Sequence, residues 1–274
     1  MKITFIKPGL PATGVVVVSA SAGNKLSASA VKLNKKSNGA LSRAIRASNF
    51  EGKKGQSLTV MALAGTKLDE VMIVGLGKPG DITELEMQRL GGRIYAGTKQ
   101  AKKGSVTVAV DAVTDAKITA ADIATEIAYG AKLRSYRFDK YRTKLKPAEK
   151  PNIKSLTLQC AGFANARKKY ASLGKVADGV FFTRDLVSEP GNVIYPDTLA
   201  KQAKTLEKLG VKVQILGEAQ MKRLGMGALL GVGQGSARES KLVVMQWHGG
   251  PKGKGKAAQP IAFVGKGVTF DTGG

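Results

Sequence analysis

The chain has 274 residues, of which 43% are hydrophobic and 23% charged, the balance of a soluble globular protein long enough for two domains with sizeable cores. No apolar run approaches the roughly 20 residues that span a bilayer. Met1–Lys7 carries no sustained apolar region, so neither a membrane span nor a secretory signal is expected. A single histidine, His248, excludes a multi-histidine zinc site and leaves one residue able to serve as base in a Ser/His/Asp or Cys/His triad. The single cysteine, Cys160, has no disulfide partner and follows an apolar run, so it reads as a small buried hydrophobe in a cytoplasmic protein. The formal charge of +24 is spread over both halves of the chain and favours nonspecific attraction to polyanions.

Along residues 1–161, Val- and Ile-rich runs bounded by Gly, Lys or Pro predict strands at Ile3–Ile6, Val15–Ser19, Leu58–Ala64, Val71–Gly75, Val106–Val110 and Ile153–Gln159. Helical patterns fall at Ala40–Ala47, Thr83–Lys102 and Ala120–Arg134. Thr83 followed by Glu86 reads as a capping box, with Leu85, Leu90, Ile94 and Ala101 as the apolar face behind it. Alternation of this kind makes a mixed or parallel sheet covered by helices, an α/β fold.

Gly75-Leu76-Gly77-Lys78-Pro79-Gly80 fits the dinucleotide fingerprint Gly-x-Gly-x-x-Gly, but no acidic residue lies in Tyr95–Gln100, where the ribose ligand belongs. That absence weakens a nucleotide-dependent oxidoreductase and favours a tight strand-to-helix turn. Between Arg134 and Lys144, basic residues interleave with Tyr136, Phe138 and Tyr141, a pattern able to hold phosphates and stack bases.

A long helix is predicted over Ala164–Val187, with Leu173, Val176, Ala177, Val180, Phe181 and Val187 on one side. Beyond it the pattern predicts a helix over Pro196–Leu209 closed by Gly210, a strand over Val211–Leu216, a short helix over Glu218–Leu224 and a strand over Lys241–Gln246. Gly249–Ala258 reads as a surface turn. Pro260–Val264 is an apolar run expected as a buried strand, which puts Lys266 and Asp271 where a strand opens into a glycine-rich loop.

Val264-Gly265-Lys266-Gly267-Val268-Thr269-Phe270-Asp271-Thr272-Gly273-Gly274 resembles the metal-site segment of the cytosol leucyl aminopeptidase family. Two further stretches carry the same resemblance. Arg184–Asn192 followed by Tyr195–Ala200 is similar to the family's entry into its catalytic domain, where one helix ends and a proline starts the next. Gly227–Ser236 is similar to the family's glycine-rich strand before the metal segment. The resemblance is strong from about residue 160 onward; before that it extends only to organisation, with a Tyr-Arg-Phe-Asp-x-Tyr segment at Tyr136–Tyr141 that favours packing there.

The resemblance implies a macro-like N-terminal α/β domain over residues 1–161, an interdomain helix over 162–187 and the first part of a metallopeptidase domain, with a central mixed sheet, over 188–274. It implies two divalent metals, Mn²⁺ or Zn²⁺, sharing a bridging water, peptides with a free N-terminus as substrates, and a homohexamer. Lys266 would be a metal ligand, which requires a neutral amine and hence a depressed pKa beside a dication. Asp271 would be the bridging carboxylate. The family's catalytic lysine and arginine and its other acidic ligands belong beyond Gly274, so no catalytic residue is assigned within this sequence, and the chain as it stands is expected to be an inactive fragment. The alternative is a basic nucleic-acid-binding or regulatory fragment without catalysis.

Overall fold

The computed structural model describes residues 1–250 and 259–269. The chain divides into two compact units, Met1–Phe182 and Thr183–Gly274.

The first unit contains β1 (Lys2–Ile6), β2 (Thr13–Ser21), β3 (Lys25–Leu26), α1 (Ala28–Lys36), α2 (Ala40–Arg46), β4 (Ser57–Met61), β5 (Lys67–Gly77), α3 (Glu84–Thr98), β6 (Ser105–Val110), α4 (Ala120–Arg134), β7 (Ser155–Cys160) and most of α5 (Phe163–Ser188). Its sheet has the order β1-β7-β6-β2-β5-β4, with β3 on β2. Pairing is parallel from β1 through β5, while β4 and β3 are antiparallel additions. The α/β class with a mixed sheet is therefore as expected.

Strand β2 shows why both faces are covered. Side chains alternate across a strand, so Val15 and Val17 enter one core with Met87, Leu90, Ile94, Ile123 and Ile127 of α3 and α4. Val16, Val18 and Ala20 enter the other with Ala30, Leu33, Leu41 and Ile45 of α1 and α2. Near-continuous apolar sequence is what a strand buried on both faces requires.

Helices α3 and α4 pack unusually closely. A Cβ placed on Gly91 would lie 2.0 Å from the Ile127 carbonyl oxygen, and one on Gly130 would lie 1.8 Å from that of Gln88. Only glycine permits that approach. Thr83 accepts from the Glu86 amide at the start of α3, but the Glu86 carboxylate turns to Arg89 and Lys54 instead of closing the box. Leu85, expected on the apolar face, is 54% exposed, and Met87 fills the core in its place. Ala101 is buried, but it lies past the end of the helix.

On α5 the expected stripe holds only in part, Ala177 being its one fully buried member. Ala166, Gly174 and Ala177 are buried, and Phe163 and Tyr170 pack against the core beside them, whereas Val176 and Val187 are 51% and 81% exposed. Small residues won the inward face because they let the helix settle close to α4, where Lys132 donates to the Gly174 carbonyl at 2.9 Å and to Asp178 at 2.6 Å. Helix α1 and strand β3 were missing from the sequence reading. Helix α1 is short, and its apolar positions are interrupted by Lys and Ser.

The second unit contains α6 (Pro196–Lys204), a 3-10 turn at Thr205–Leu209, β8 (Lys212–Leu216), α7 (Glu218–Arg223), α8 (Gly227–Gly233) and β9 (Leu242–Gln246). Strands β8 and β9 form an antiparallel pair, with Gln214 opposite Val244. Gly210 closes the 3-10 turn at φ +88, a conformation that suits a residue with no Cβ.

Two expectations fail in this unit. Gly227–Ser236 is not a strand: Gly227–Gly233 is helical, with the Leu230 amide bonded to the Met226 carbonyl. A helix satisfies its backbone within its own segment, while a strand needs a neighbouring edge. Pro260–Val264 is not a buried strand either. It has no regular structure, and Ile261, Phe263 and Val264 are 83%, 94% and 99% exposed. Among the described residues no strand pairs with it, and without a partner an apolar run has no ladder to join. Most of the expected Gly249–Ala258 turn lies outside the described residues.

Candidate functional site

The lead-in to the expected metal segment folds as its sequence suggests. Helix α5 ends at Ser188, and the Val193 and Ile194 amides turn back onto the Pro190 carbonyl at 2.8 and 2.9 Å. Pro196 then opens α6, where a missing amide hydrogen costs nothing. The Tyr195 amide donates to Thr198 Oγ1 at 2.9 Å, and that hydroxyl donates to the Val193 carbonyl at 2.8 Å. Asp197 is paired one turn on with Lys201 at 2.7 Å; the Lys201 hydrogen bond holds its carboxyl below the usual range. The Arg238 guanidinium stacks 3.6 Å from the centre of the Tyr195 ring, and the Ser240 amide donates to Glu218 at 2.8 Å.

Lys266 lies on the exposed stretch 259–269. Asp271 lies outside the described residues. Among the described residues no group of three or more His, Cys, Asp or Glu side chains could hold a metal ion. A two-metal centre needs several carboxylates around cations about 3.5 to 4 Å apart. The described residues alone do not supply that donor set.

Cys160 is fully buried at the end of β7, and burial pushes its thiol up to about 11, the opposite of an activated nucleophile. His248 is exposed beside Trp247, itself 67% exposed.

The glycines after β5 answer to backbone crowding: a Cβ on Gly75 would sit 2.1 Å from the Lys53 carbonyl oxygen, and Gly77 has φ +76. A 3-10 turn at Pro79–Asp81 follows, with the Lys78 amide bonded to Asp81 at 2.7 Å. Helix α3 begins only at Glu84, so no helix start stands beside these glycines to receive a pyrophosphate. In the basic-aromatic segment, Arg137 is held by Asp139 at 2.7 and 3.2 Å and donates to the Glu149 carbonyl at 2.8 Å.

One arrangement escaped the sequence reading. Asp111, just past β6, accepts from the Ser29 amide at 2.8 Å and from its hydroxyl at 2.9 Å. These are first-turn donors of α1, at the carboxyl ends of β2 and β6, where open α/β sheets bind ligands. The protein's own carboxylate occupies them. The residues are 82 apart in sequence; the one local cue was an acidic residue at the end of an apolar strand.

Comparison with known proteins agrees with this layout. Residues 15–145 match the family model of the cytosol aminopeptidase family, N-terminal domain, and residues 181–274 match that of the catalytic domain. A probable cytosol aminopeptidase of Caulobacter vibrioides is 43% identical over 276 residues, covering 100% of this chain and 54% of the relative. One from Chelativorans sp. is 44% identical, covering 99% of this chain and 53% of the relative. Among solved structures, a tomato leucine aminopeptidase mutant aligns with TM-score 0.75 at 25% identity, covering 89% of this chain and 50% of that one. The bottromycin maturation enzyme BotP in complex with Mn shares the fold, with TM-score 0.65 at 22% identity over 84% of this chain and 44% of that one. The chain spans about half the length of the curated relatives it matches. Two family models in the proper order, together with relatives of this identity along the whole chain, establish that the chain belongs to the cytosol aminopeptidase family.

Proposed function

We propose that this chain supplies the N-terminal domain and the opening part of the catalytic domain of a metal-dependent aminopeptidase that removes N-terminal residues from peptides. The reading rests on the segment Val264–Gly274, whose Lys266 and Asp271 are taken as ligands by resemblance and which lies inside the stretch matched by the catalytic-domain model. Lys266 is assigned as a neutral-amine ligand to one divalent ion and Asp271 as the carboxylate shared by two. The ions are Mn²⁺ or Zn²⁺, and a hexamer in the cytoplasm is the proposed working form. Residues 1–161, 162–187 and 188–274 are read as N-terminal domain, interdomain helix and the start of the metallopeptidase domain.

The 274 residues alone are proposed to be inactive. No group of three candidate ligands gathers among the described residues, and the resemblance puts the remaining ligands and the catalytic lysine and arginine beyond Gly274. The test is hydrolysis of leucine p-nitroanilide by this chain with added Mn²⁺ or Zn²⁺, against a chelator-treated control. No difference is expected. Turnover above the control would show that a complete site assembles from these residues.

A further inference from the structure

We propose that strand β4 is a pairing edge for a second copy of this chain, the two β4 strands running antiparallel about a two-fold axis at Thr59. The main sheet ends at β1 on one side and β4 on the other, and an edge strand left open pairs with other chains unless something blocks it. β1 is blocked. Lys2 lies in it and Lys7-Pro8 follows it. The Lys2 amide bonds the Lys154 carbonyl on the β7 side, so Phe5, three residues on, turns its carbonyl outward, where Arg167 Nη2 donates to it at 2.9 Å.

β4 carries no such device. Its sequence, Ser57-Leu58-Thr59-Val60-Met61, holds neither charge nor proline, and it pairs with β5 without a register shift. The Gly75 amide bonds the Gln56 carbonyl and the Ala62 amide bonds the Asp69 carbonyl, which turns the backbone groups of Gln56, Leu58, Val60 and Ala62 towards β5. Because these groups alternate sides along a strand, the amides and carbonyls of Ser57, Thr59 and Met61 face away from the sheet. All three residues are exposed, Met61 by 66%. Among the described residues no turn, loop or side chain bonds to these outward groups.

Self-complementarity selects the occupant. With the axis at Thr59, that residue faces its own copy, Ser57 faces the partner's Met61, and every outward amide meets an outward carbonyl. Leu58 then faces the partner's Val60. Both are half-buried against the core under α1 and α2, so pairing joins the two cores across the axis through apolar cross-strand contacts. Charge permits the approach as well: residues 51–70 hold three lysines and three acidic residues in a chain of formal charge +24. The edge is a neutral strip on a molecule whose field otherwise repels its own copies.

The test is sedimentation velocity of this chain across a concentration series. About 0.5 M NaCl shortens the Debye length to a few Å and so screens Arg43 and Arg46 of α2, the helix that packs on β4. The parent should pass reversibly from monomer to dimer. Thr59→Lys sets like charges opposite each other on the axis and should weaken association at least about 10-fold. Val176→Lys, the same change of charge at an exposed site on α5, should leave it unchanged, and circular dichroism reports whether each variant is folded.

Oxidation reads the register independently. Cys160 is fully buried, so an added surface cysteine is the reactive thiol. Thr59→Cys alone should give a disulfide-linked dimer, because the Cα atoms of a hydrogen-bonded pair lie about 5.5 Å apart, within disulfide range. Ser57→Cys alone should not, its own copy being about 14 Å away along the strands, yet mixed with Met61→Cys it should link. The pairing uses neither a metal nor a catalytic residue, so these outcomes are independent of the peptidase reading. A parent that stays monomeric, association that Thr59→Lys leaves intact, or cross-linking of Ser57→Cys alone as readily as Thr59→Cys would each overturn the proposal. So would a monomer whose β4 amides gain exchange protection only on adding a peptide of alternating Val and Thr, which would assign the edge to an extended peptide instead.

Discussion

Glu126 is a carboxylate in an adverse place. It is 8% exposed on α4, accepts from Gln88 Nε2 at 2.8 Å, and is pushed above the ordinary range by burial. The Gln88 hydrogen bond and Lys169 oppose that rise, and the nearby charges of Glu84 and Asp122 add to it. A carboxyl whose folded pKa lies above its unfolded value favours folding below the unfolded pKa, and that contribution is lost as pH rises through the folded value. Glu126→Gln should therefore raise the melting temperature at pH 7 and show a smaller gain at pH 4. A gain independent of pH would assign the effect to packing. Asp122, its neighbour on α4, is opposite in sign: burial alone would raise it, but hydrogen bonds from Lys169 and Thr119 bring it below its usual range. Asp111 holds two first-turn donors of α1, so Asp111→Ala should cost about 2 kcal/mol in urea unfolding. No loss would mean that water replaces it freely.

Among the elements, α3 offers an internal contrast in two adjacent glycines. A Cβ on Gly91 would meet the Ile127 carbonyl oxygen at 2.0 Å, while one on Gly92 would meet the Arg134 side chain at 3.7 Å and the Gly130 carbonyl oxygen at 3.9 Å, both ordinary contacts. Gly92→Ala should stabilise by up to about 1 kcal/mol through helix propensity. Gly91→Ala should destabilise by about 3 kcal/mol, because α4 must be pushed away. Chemical denaturation of both variants decides this, and the same sign for both would refute the close crossing. These glycines also mark the limit of what sequence patterning conveys. Helix α4 was read from Ala120 to Arg134 with its observed ends, and the structure shows Thr119 capping it. The inward face of α5 was read only in part: Ala177 is buried as expected, but Ala166 and Gly174 are buried for their small size, which a hydrophobicity pattern does not weigh. Pro260–Val264 and Gly227–Ser236 were misread for a different reason: strand formation depends on a partner edge, and a local run carries no information about whether one is present.

At the scale of the whole molecule, most of the N-terminal sheet and helices α2, α3 and α4 were legible in Val-rich strands alternating with helical patterns, while α1 and β3 were not. The metal segment was legible only as a motif: Lys266 stands exposed, and its expected partner Asp271 lies outside the described residues. A ligand set assembled from distant parts of a chain has no local signature beyond each contributing loop. Lys266 and Asp271 are proposed as ligands of a shared metal centre. The most direct measurement joins this chain at Gly274 to the remaining half of the Caulobacter vibrioides relative, to which it is 43% identical. Bound metal is then counted by mass spectrometry in the parent and in Lys266→Ala and Asp271→Ala. The expected result is loss of about one metal equivalent with Lys266→Ala and of both with Asp271→Ala, since a bridging carboxylate touches both ions. Full metal occupancy in either variant would contradict the ligand role of that residue.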